Sequence, residues 1–354
     1  MRRNGDTPKR DLFPMRLNRG LIWPAAILIL FSVPLLTDSN YILSVLIVIG
    51  LYTLVVQGLG ILMGYAGQVS LGHAAFFGLG AYAVAILTVR FGWPGIPALM
   101  GAMAVPGIIA AVIGRPTLRL RELYLAMGTL GFGILVHIFF NEAQWLTGGP
   151  SGMMGIPYLS LGSLVLDRDF KFFYLVWGVV LLVSAAIHNL IGSRVGRALR
   201  AVSESEYAAE TVGIHTAGLK LKAMIFSAAL AGLAGGLYAF YITFVSPSPF
   251  GFHTSVQFVL MAVVGGLGTF MGPVFGAALV VALGEFLRWF IPLLIPAAGG
   301  EYEIIFFGLI LVILMVVCPH GLGTLGRALK IPAGEKDSPG EADIRLQGQQ
   351  REVQ

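Results

Sequence analysis

The chain has 354 residues, of which 56% are hydrophobic, 12% are charged and 47 are glycine. Soluble domains carry roughly 25% charged residues and about 7% glycine, so this chain has half the usual charge and nearly twice the usual glycine. A water-soluble fold of this size cannot enclose so much apolar surface, which excludes soluble enzymes and disordered proteins. The apolar residues run unbroken instead of alternating, and this indicates membrane helices and excludes an outer-membrane barrel.

The apolar runs predict an all-α polytopic bundle of about ten transmembrane helices. The predicted spans are 21–36, 41–63, 73–89, 95–113, 123–141, 172–191, 223–245, 255–271, 273–290 and 303–318. Glycine interrupts the pattern at 64–80 and 265–276. Each interruption is either a connection between spans or a re-entrant or broken helix, so eight to ten crossings remain open.

Positive charge predicts which side of the membrane each segment faces. Residues 1–20, 114–122, 192–222 and 319–354 together hold 19 of the 23 Lys and Arg residues. Cytoplasmic loops are enriched in these residues, so both termini are predicted in the cytoplasm and the segment 142–171 outside. The same clustering between apolar runs argues against nucleic acid, which the net charge of +5 could suggest.

These assignments divide the chain into three parts. A basic cytoplasmic N-terminus covers 1–20, a transmembrane domain 21–320, and a mobile cytoplasmic tail 321–354. The single cysteine, Cys318, excludes a disulfide framework within the chain and argues against a thiolate metal site.

The first informative segment is Gly64–Gly80, where small residues at three- and four-residue spacing allow close helix packing. Polar side chains at this depth need partners, so they either hydrogen-bond a neighbouring helix or line a polar pathway. His73 has no second His or Cys at ligand spacing, so no metal site is predicted. The candidate pathway residues are Gly67, Gln68, Ser70, Gly72 and His73.

The second segment lies in the external stretch 142–171. Its density of Gly and Pro predicts tight turns with positive φ angles, and therefore a shaped loop. It lacks the spacing of a phosphate-binding loop, and the absence of that motif from the chain predicts no ATP hydrolysis by this polypeptide. The loop candidates are Thr147, Gly148, Gly149, Pro150 and Gly152.

The third segment is the internal loop 192–222, predicted to contain a short surface helix that stops at a glycine. Leu199 and Val202 form an apolar stripe, and the pair Ser203 and Glu206 is predicted to cap a second helical turn. A solvated connecting helix and a docking element both fit, although 31 residues exceed what a connection needs. The docking candidates are Arg200, Glu204, Glu206, Ala208, Ala209 and Gly213.

Four co-linear motifs carry a family resemblance: Gly64–Gly80, Thr147–Gly152, Ala208–Gly213 and Val263–Pro273. Together, over about residues 40–325, they resemble the permeases of branched-chain amino acid ABC transporters, most closely the M-type subunit. In this family's cytoplasmic loop a Glu precedes the two alanines. Here Tyr207 stands at that position and Glu206 lies one residue earlier.

The resemblance implies an ABC importer permease in a bacterial inner membrane. Its implied partners are a second permease subunit, two cytoplasmic ATPase subunits, a periplasmic substrate-binding protein and membrane lipid. ATP and Mg²⁺ would be used by the ATPase subunits, and no cofactor or catalytic residue is expected in this chain. The implied ligands are branched-chain amino acids, with other amino acids, urea or short amides left open.

Two other functions are weighed against this one. An ion-coupled secondary transporter would share the apolar and broken helices, but it usually needs ionisable groups deep in the membrane. The carboxylates of Glu122, Glu142 and Glu285 all lie near predicted span ends, and Glu285 is expected to pair with Arg288. A membrane enzyme would need a convergent catalytic group, and the sequence suggests none.

Overall fold

The computed structural model describes residues 30–35, 39–117, 122–162, 164–294 and 307–310. Within them, seven helices are long and apolar enough to cross a membrane. This confirms the all-α polytopic fold. The predicted spans 21–36 and 303–318, the two terminal segments and Cys318 lie wholly or largely outside the described residues.

The helices are α1 (Asn40–Leu59), α2 (His73–Ala85), α3 (Gly95–Thr117), α4 (Glu122–Glu142), α5 (Gln144–Thr147), α6 (Asp169–Gly192), α7 (Arg194–Glu204), α8 (Glu206–Thr211), α9 (Thr216–Ile242), α10 (Phe252–Gly265) and α11 (Gly272–Leu294). The strands are β1 (Met153–Met154), β2 (Ser160–Leu161), β3 (Leu164–Val165) and β4 (Phe244–Val245). Antiparallel pairs join β1 to β4 and β2 to β3. The π-helical turns Gly60–Tyr65 and Ile86–Arg90 extend α1 and α2.

The bundle has two ends, which we name from the segments they carry. The apical end carries residues 91–95, 143–168 and 243–248, and the basal end carries 64–67, 193–215 and 266–271. Helices α1 and α6 run from the apical to the basal end side by side. Their register is fixed where Gln57 Nε2 donates to Ser184 Oγ at 2.6 Å.

Helices α2, α3 and α9 form the tightest packing in the described bundle. A Cβ atom added to Gly80 would overlap the backbone of Gly232, and one added to Gly232 would overlap the carbonyl of Ala102. A Cβ on Gly235 would overlap the carbonyl of Phe77. Without side chains at these points the backbones themselves are in contact, which is the approach that small residues permit in membrane helices.

Two of the helices begin inside the bundle. His73, at the start of α2, hydrogen-bonds Ser227, which lies eleven residues, or roughly 16 Å, along α9 from its basal end. At the start of α10, Ser255 Oγ accepts a hydrogen bond from the Ala74 N–H at 3.1 Å. The N-terminal ends of α2 and α10 therefore meet at depth. The segments 66–72 and 243–251 that lead to them are called the first and second breaks.

The predicted span 255–271 differs from the structure. Helix α10 has 14 residues and ends at Gly265, because Gly266 and Gly268 adopt φ angles of 100° and 76°. At 1.5 Å per residue it is roughly 21 Å long, short of a full crossing. Residues 266–271 form a turn to α11, here called the basal turn, which accounts for the glycine interruption seen in the sequence.

The predicted span 223–245 also begins too late. Helix α9 starts at Thr216, where the His215 Nδ1 caps the helix by accepting from the Gly218 N–H at 2.9 Å. The prediction placed Lys220 and Lys222 in the internal loop 192–222. In the structure both lie on the first turns of α9, where long basic side chains reach beyond the apolar region.

Candidate functional site

Two of the predicted pathway residues lie in a buried polar cluster. His73 Nδ1 lies 3.0 Å from Ser70 Oγ, and His73 Nε2 lies 2.7 Å from Ser227 Oγ. All three side chains are at most 2% exposed within this chain. The cluster connects the first break to α9 by hydrogen bonds. Such bonds to a neighbouring helix are what we expect if these side chains only fix the packing. A role in a pathway stays a prediction.

Gln68 differs from these neighbours. Its side chain is 3% exposed, and neither amide atom has a hydrogen-bond partner among the described residues. Leaving a buried polar group unpaired costs about 1–3 kcal/mol, so such groups are rare in folded proteins. Of the five pathway candidates, Gln68 is therefore the one whose side-chain polar atoms both lack a partner among the described residues.

The glycines of the first break fit where side chains would not. Gly67 has a φ of 66°, and a Cβ there would lie 3.2 Å from Ser203 Oγ of α7. Gly72 packs directly on the Thr129 carbonyl of α4. The Leu71 N–H donates to Thr129 Oγ1 at 3.1 Å, which satisfies a backbone donor at membrane depth.

A narrow cleft with room for about one water molecule adjoins the first break. Its walls include Leu71 of the first break, Gly133 and Ile134 of α4, Gly251 of the second break and Ser255 of α10. The cleft is therefore mostly apolar, with the Ser255 hydroxyl at one side. It lies where the first break, the second break and α4 come together.

The docking candidates lie on α7 and α8, a pair of short helices at the basal end. Ser193 caps α7 by accepting from the Val195 N–H at 3.1 Å, and Leu199 and Val202 of α7 are buried as predicted. The predicted Ser203–Glu206 cap is wrong. Helix α7 continues to Glu204, so the cap of α8 is Ser205, which accepts from the Ala208 N–H at 3.3 Å.

The remaining docking candidates have defined positions. Glu206 forms an ion pair with Lys220 of α9, and Ala209 is the buried residue of α8. Gly213, with a φ of 82°, ends this helix as predicted. Glu204 and Ala208 are exposed, and so is Tyr207, the residue in place of the family's Glu, which is 86% exposed.

Arg200 joins this helix pair to the first break. Its guanidinium carbon lies 5.4 Å from the ring centroid of Tyr65, the last residue of the π-helical turn. The Tyr65 hydroxyl donates to the Gly268 carbonyl of the basal turn at 2.8 Å. Tyr65 therefore contacts two segments that the sequence analysis treated separately.

The apical loop candidates form a folded unit. Thr147 Oγ1 donates to the Phe140 carbonyl at 2.8 Å and accepts from the Gly149 N–H at 3.2 Å. Gly148, Gly149 and Gly152 all have positive φ angles, as predicted for tight turns. Pro150 lies on the exposed surface of a 3₁₀ turn over Gly149–Ser151. The loop is therefore shaped, and β1 fastens it to β4.

Two ion pairs lie in the apical half of the described residues. Lys171 Nζ donates to Asp167 Oδ1 at 2.7 Å, and this hydrogen bond holds the pKa of Asp167 below its usual value. Arg288 Nη1 lies 3.2 Å from Glu285 Oε1, which confirms the predicted pair, and the Tyr41 hydroxyl also donates to Glu285. Among the described residues, no three His, Cys, Asp or Glu side chains lie together as a metal site.

Sequence reasoning missed Ser227, Ser255, Thr129 and Tyr65. Three of them are small hydroxyl residues in otherwise apolar helices, and such residues commonly hydrogen-bond across helices. That signal could have identified the serines and the threonine. Nothing in the sequence could have paired Tyr65 with Gly268, which lies 203 residues away.

A bundle of seven candidate spans, with helices that start at depth and a polar helix pair at one end, defines a polytopic membrane protein of the transporter class. The family model described as "Branched-chain amino acid transport system / permease component" matches residues 41–315. The chain therefore belongs to this family of branched-chain amino acid transport permeases.

Individual relatives agree. The chain is 32% identical to the high-affinity branched-chain amino acid transport system permease protein LivM of Escherichia coli, over 94% of this chain and 79% of the relative. The LivM protein of Salmonella typhimurium is 31% identical over the same shares. The E. coli permease protein LivH is 25% identical over 78% of this chain and 91% of its own length. No solved structure matches.

Proposed function

We propose that this chain is a transmembrane permease subunit of an ATP-driven ABC importer in a bacterial inner membrane, with both termini in the cytoplasm. It translocates branched-chain amino acids or related small polar ligands. It works with a second permease subunit, two cytoplasmic ATPase subunits and a periplasmic binding protein. ATP and Mg²⁺ act in the ATPase subunits, and this chain supplies no catalytic residue.

The observation that carries the proposal is the position of α7 and α8. They project from the basal end, where Arg194, Arg197, Arg200, Lys220 and Lys222 are also found, and this charge favours a cytoplasmic face. Their outer surface exposes Tyr207 and Val212, at 86% and 74%. Large exposed apolar side chains on a charged surface are typical of a protein interaction site, which fits an ATPase dock.

The chemistry of the first break supports transport of a small solute. Its flanking cleft is apolar, and Gln68 is an unpaired amide within the same segment. The apolar lining suits the aliphatic side chain of such a ligand, and the Gln68 amide offers a donor and an acceptor to its polar groups. They offer no strong charge to hold a ligand tightly, so we assign high-affinity selection to the binding protein.

Reconstitution tests the proposal. The chain, its second permease and its ATPases are placed in proteoliposomes, and uptake of radiolabelled leucine, isoleucine and valine is measured with ATP and binding protein. ATP-dependent uptake supports the importer. Uptake by the two permeases alone, driven by a proton or sodium gradient, would instead establish an ion-coupled transporter.

The dock has its own test in a matched pair of variants. Tyr207→Ser combined with Val212→Ser is expected to reduce ATPase co-purification at least fivefold, because the exposed apolar surface is lost. Tyr158→Ser, on the opposite end and 53% exposed, serves as the control and should retain the ATPase. Equal ATPase recovery in both variants would place the dock elsewhere.

A further inference from the structure

We propose that Tyr65 is a relay residue, which transmits movement of the α7–α8 pair to the first break and to the basal turn together. The inference rests on the proposed function, since it assumes that ATPase subunits move this helix pair. It gives a positioning role to Tyr65, which is not among the candidate residues of the three segments. The contacts that support it lie within the described residues.

The first contact is between α7 and Tyr65. The Arg200 guanidinium lies over the face of the Tyr65 ring, with 5.4 Å between its central carbon and the ring centroid. A guanidinium over an aromatic face is attracted by the ring's negative π surface. Tyr65 is the C-terminal residue of the π-helical turn and directly precedes the first break. A displacement of α7 therefore acts on the residue from which the break starts.

The second contact is between Tyr65 and the basal turn. The Tyr65 hydroxyl donates to the Gly268 carbonyl at 2.8 Å, and Gly268 lies between α10 and α11. The backbones of Gly64 and Gly268 also touch, because a Cβ on Gly64 would overlap the Gly268 nitrogen. The π-helical turn and the basal turn are thus held together by one side-chain bond and one backbone contact.

A third contact joins α7 directly to the first break, without Tyr65. A Cβ on Gly67 would lie 3.2 Å from Ser203 Oγ, so α7 touches the break one turn beyond Arg200. Loss of the Tyr65 hydroxyl would leave this contact and the ring contact of Arg200 in place. Only the connection to the basal turn therefore depends on the hydroxyl. We call the connections from α7 to the first break and from α7 to the basal turn the two branches.

The two branches end on helices that meet at depth. The first break leads into α2 and the basal turn into α10 and α11, and α2 and α10 are joined where the Ala74 N–H bonds Ser255. Moving both ends of this joint together would shift it as a unit. Moving only α2 or only α10 would strain the bond between Ala74 and Ser255. Fewer solute molecules would then be transported for each ATP hydrolysed.

The test is Tyr65→Phe in the reconstituted complex, with Tyr124→Phe as the matched control. Tyr124 is 63% exposed on α4, and both substitutions remove one hydroxyl. The measured quantity is leucine transported per ATP hydrolysed. We expect Tyr65→Phe to lower this ratio about fivefold, the factor that one lost hydrogen bond represents, while ATP hydrolysis and co-purification stay within twofold of wild type. A merely structural role would lower assembly and hydrolysis along with uptake.

Hydrogen–deuterium exchange separates the two branches. On vanadate trapping of the wild-type complex, amide exchange should change in 66–72 and in 266–271. In Tyr65→Phe the change should persist in 66–72 and be reduced in 266–271, where only the Gly64–Gly268 backbone contact remains. A transport ratio within twofold of wild type, or an unchanged exchange response in 266–271, would overturn the relay. A wild-type complex without ATP-driven leucine uptake would refute the proposed function instead.

Discussion

The contact between α3 and α9 predicts the cost of adding a single methyl group. Gly232 of α9 faces Gly80 on one side and α3 on the other. In Gly232→Ala, the new Cβ would overlap the Ala102 carbonyl and lie 2.6 Å from Pro106 Cγ. Neither atom belongs to a flexible side chain, so α3 as a whole would have to move.

The magnitude follows from two opposing effects. Overpacking a close-packed interior costs about 1–3 kcal/mol, and here the contact is with backbone, which favours the upper part of that range. Replacing Gly by Ala in a helix recovers about 1 kcal/mol. We therefore expect a net loss of about 1–2 kcal/mol, seen as a lower apparent melting temperature of the purified protein in detergent.

The matched control is Gly178→Ala in α6. Nothing lies within 4 Å of the Cβ position of Gly178, so only the gain in helix propensity should appear. Its melting temperature should equal or exceed that of the wild type. If Gly232→Ala melts as high as Gly178→Ala, the α3–α9 contact is looser than argued and the packing account fails.

Three further predictions concern the candidate site. Gly213→Pro, or deletion of 204–213, should uncouple ATP hydrolysis from leucine uptake without preventing membrane insertion; normal uptake with normal ATPase co-purification would contradict this. His73→Leu strands two serine hydroxyls and should lower the melting temperature, whereas Gln68→Leu removes an unpaired amide and should leave it unchanged or raised. Both should lower uptake more than assembly, and unchanged uptake would make either one a packing residue. Gly152→Ala forces a side chain to φ 71° against a carbonyl of β4, so amides of β1 should exchange faster; an unaltered exchange rate would refute this.

Hydropathy was sufficient to predict most of the bundle. The helices over 40–65, 73–90, 95–115, 124–142 and 169–192 lie where unbroken apolar runs predicted spans, because a membrane helix must satisfy its own backbone. The positive φ angles of the loop glycines at 148, 149 and 152 and the helix stop at Gly213 were also predicted. Turn chemistry depends on neighbouring residues and can be derived from them.

What could not be predicted depends on residues far apart in the chain. The sequence raised the question of broken helices at 64–80 and 265–276, but the depth at which α2 begins is set by Ser227 and Ser255 on other helices. The predicted spans 223–245 and 255–271 left 246–254 as a connection, but nothing in that segment indicated that it leads to a helix beginning inside the bundle. Thr243, a non-glycine residue at φ 58°, ends α9 without any glycine to indicate it.

The pairing of β1 with β4 determines which segment of the chain a force on the apical loop would act on. Met153 pairs with Val245 and Met154 with Phe244, so the loop is attached to the second break rather than to the side of a helix. Only residues 246–251 separate this attachment from the first residue of α10. At its other end α10 leads into the turn whose Gly268 carbonyl receives the Tyr65 hydroxyl. A protein that pulls on the apical loop would thus act on α10, the same short helix that the α7–α8 pair contacts through Tyr65 and the basal turn. In this way α10 would connect the apical and basal ends of the bundle mechanically.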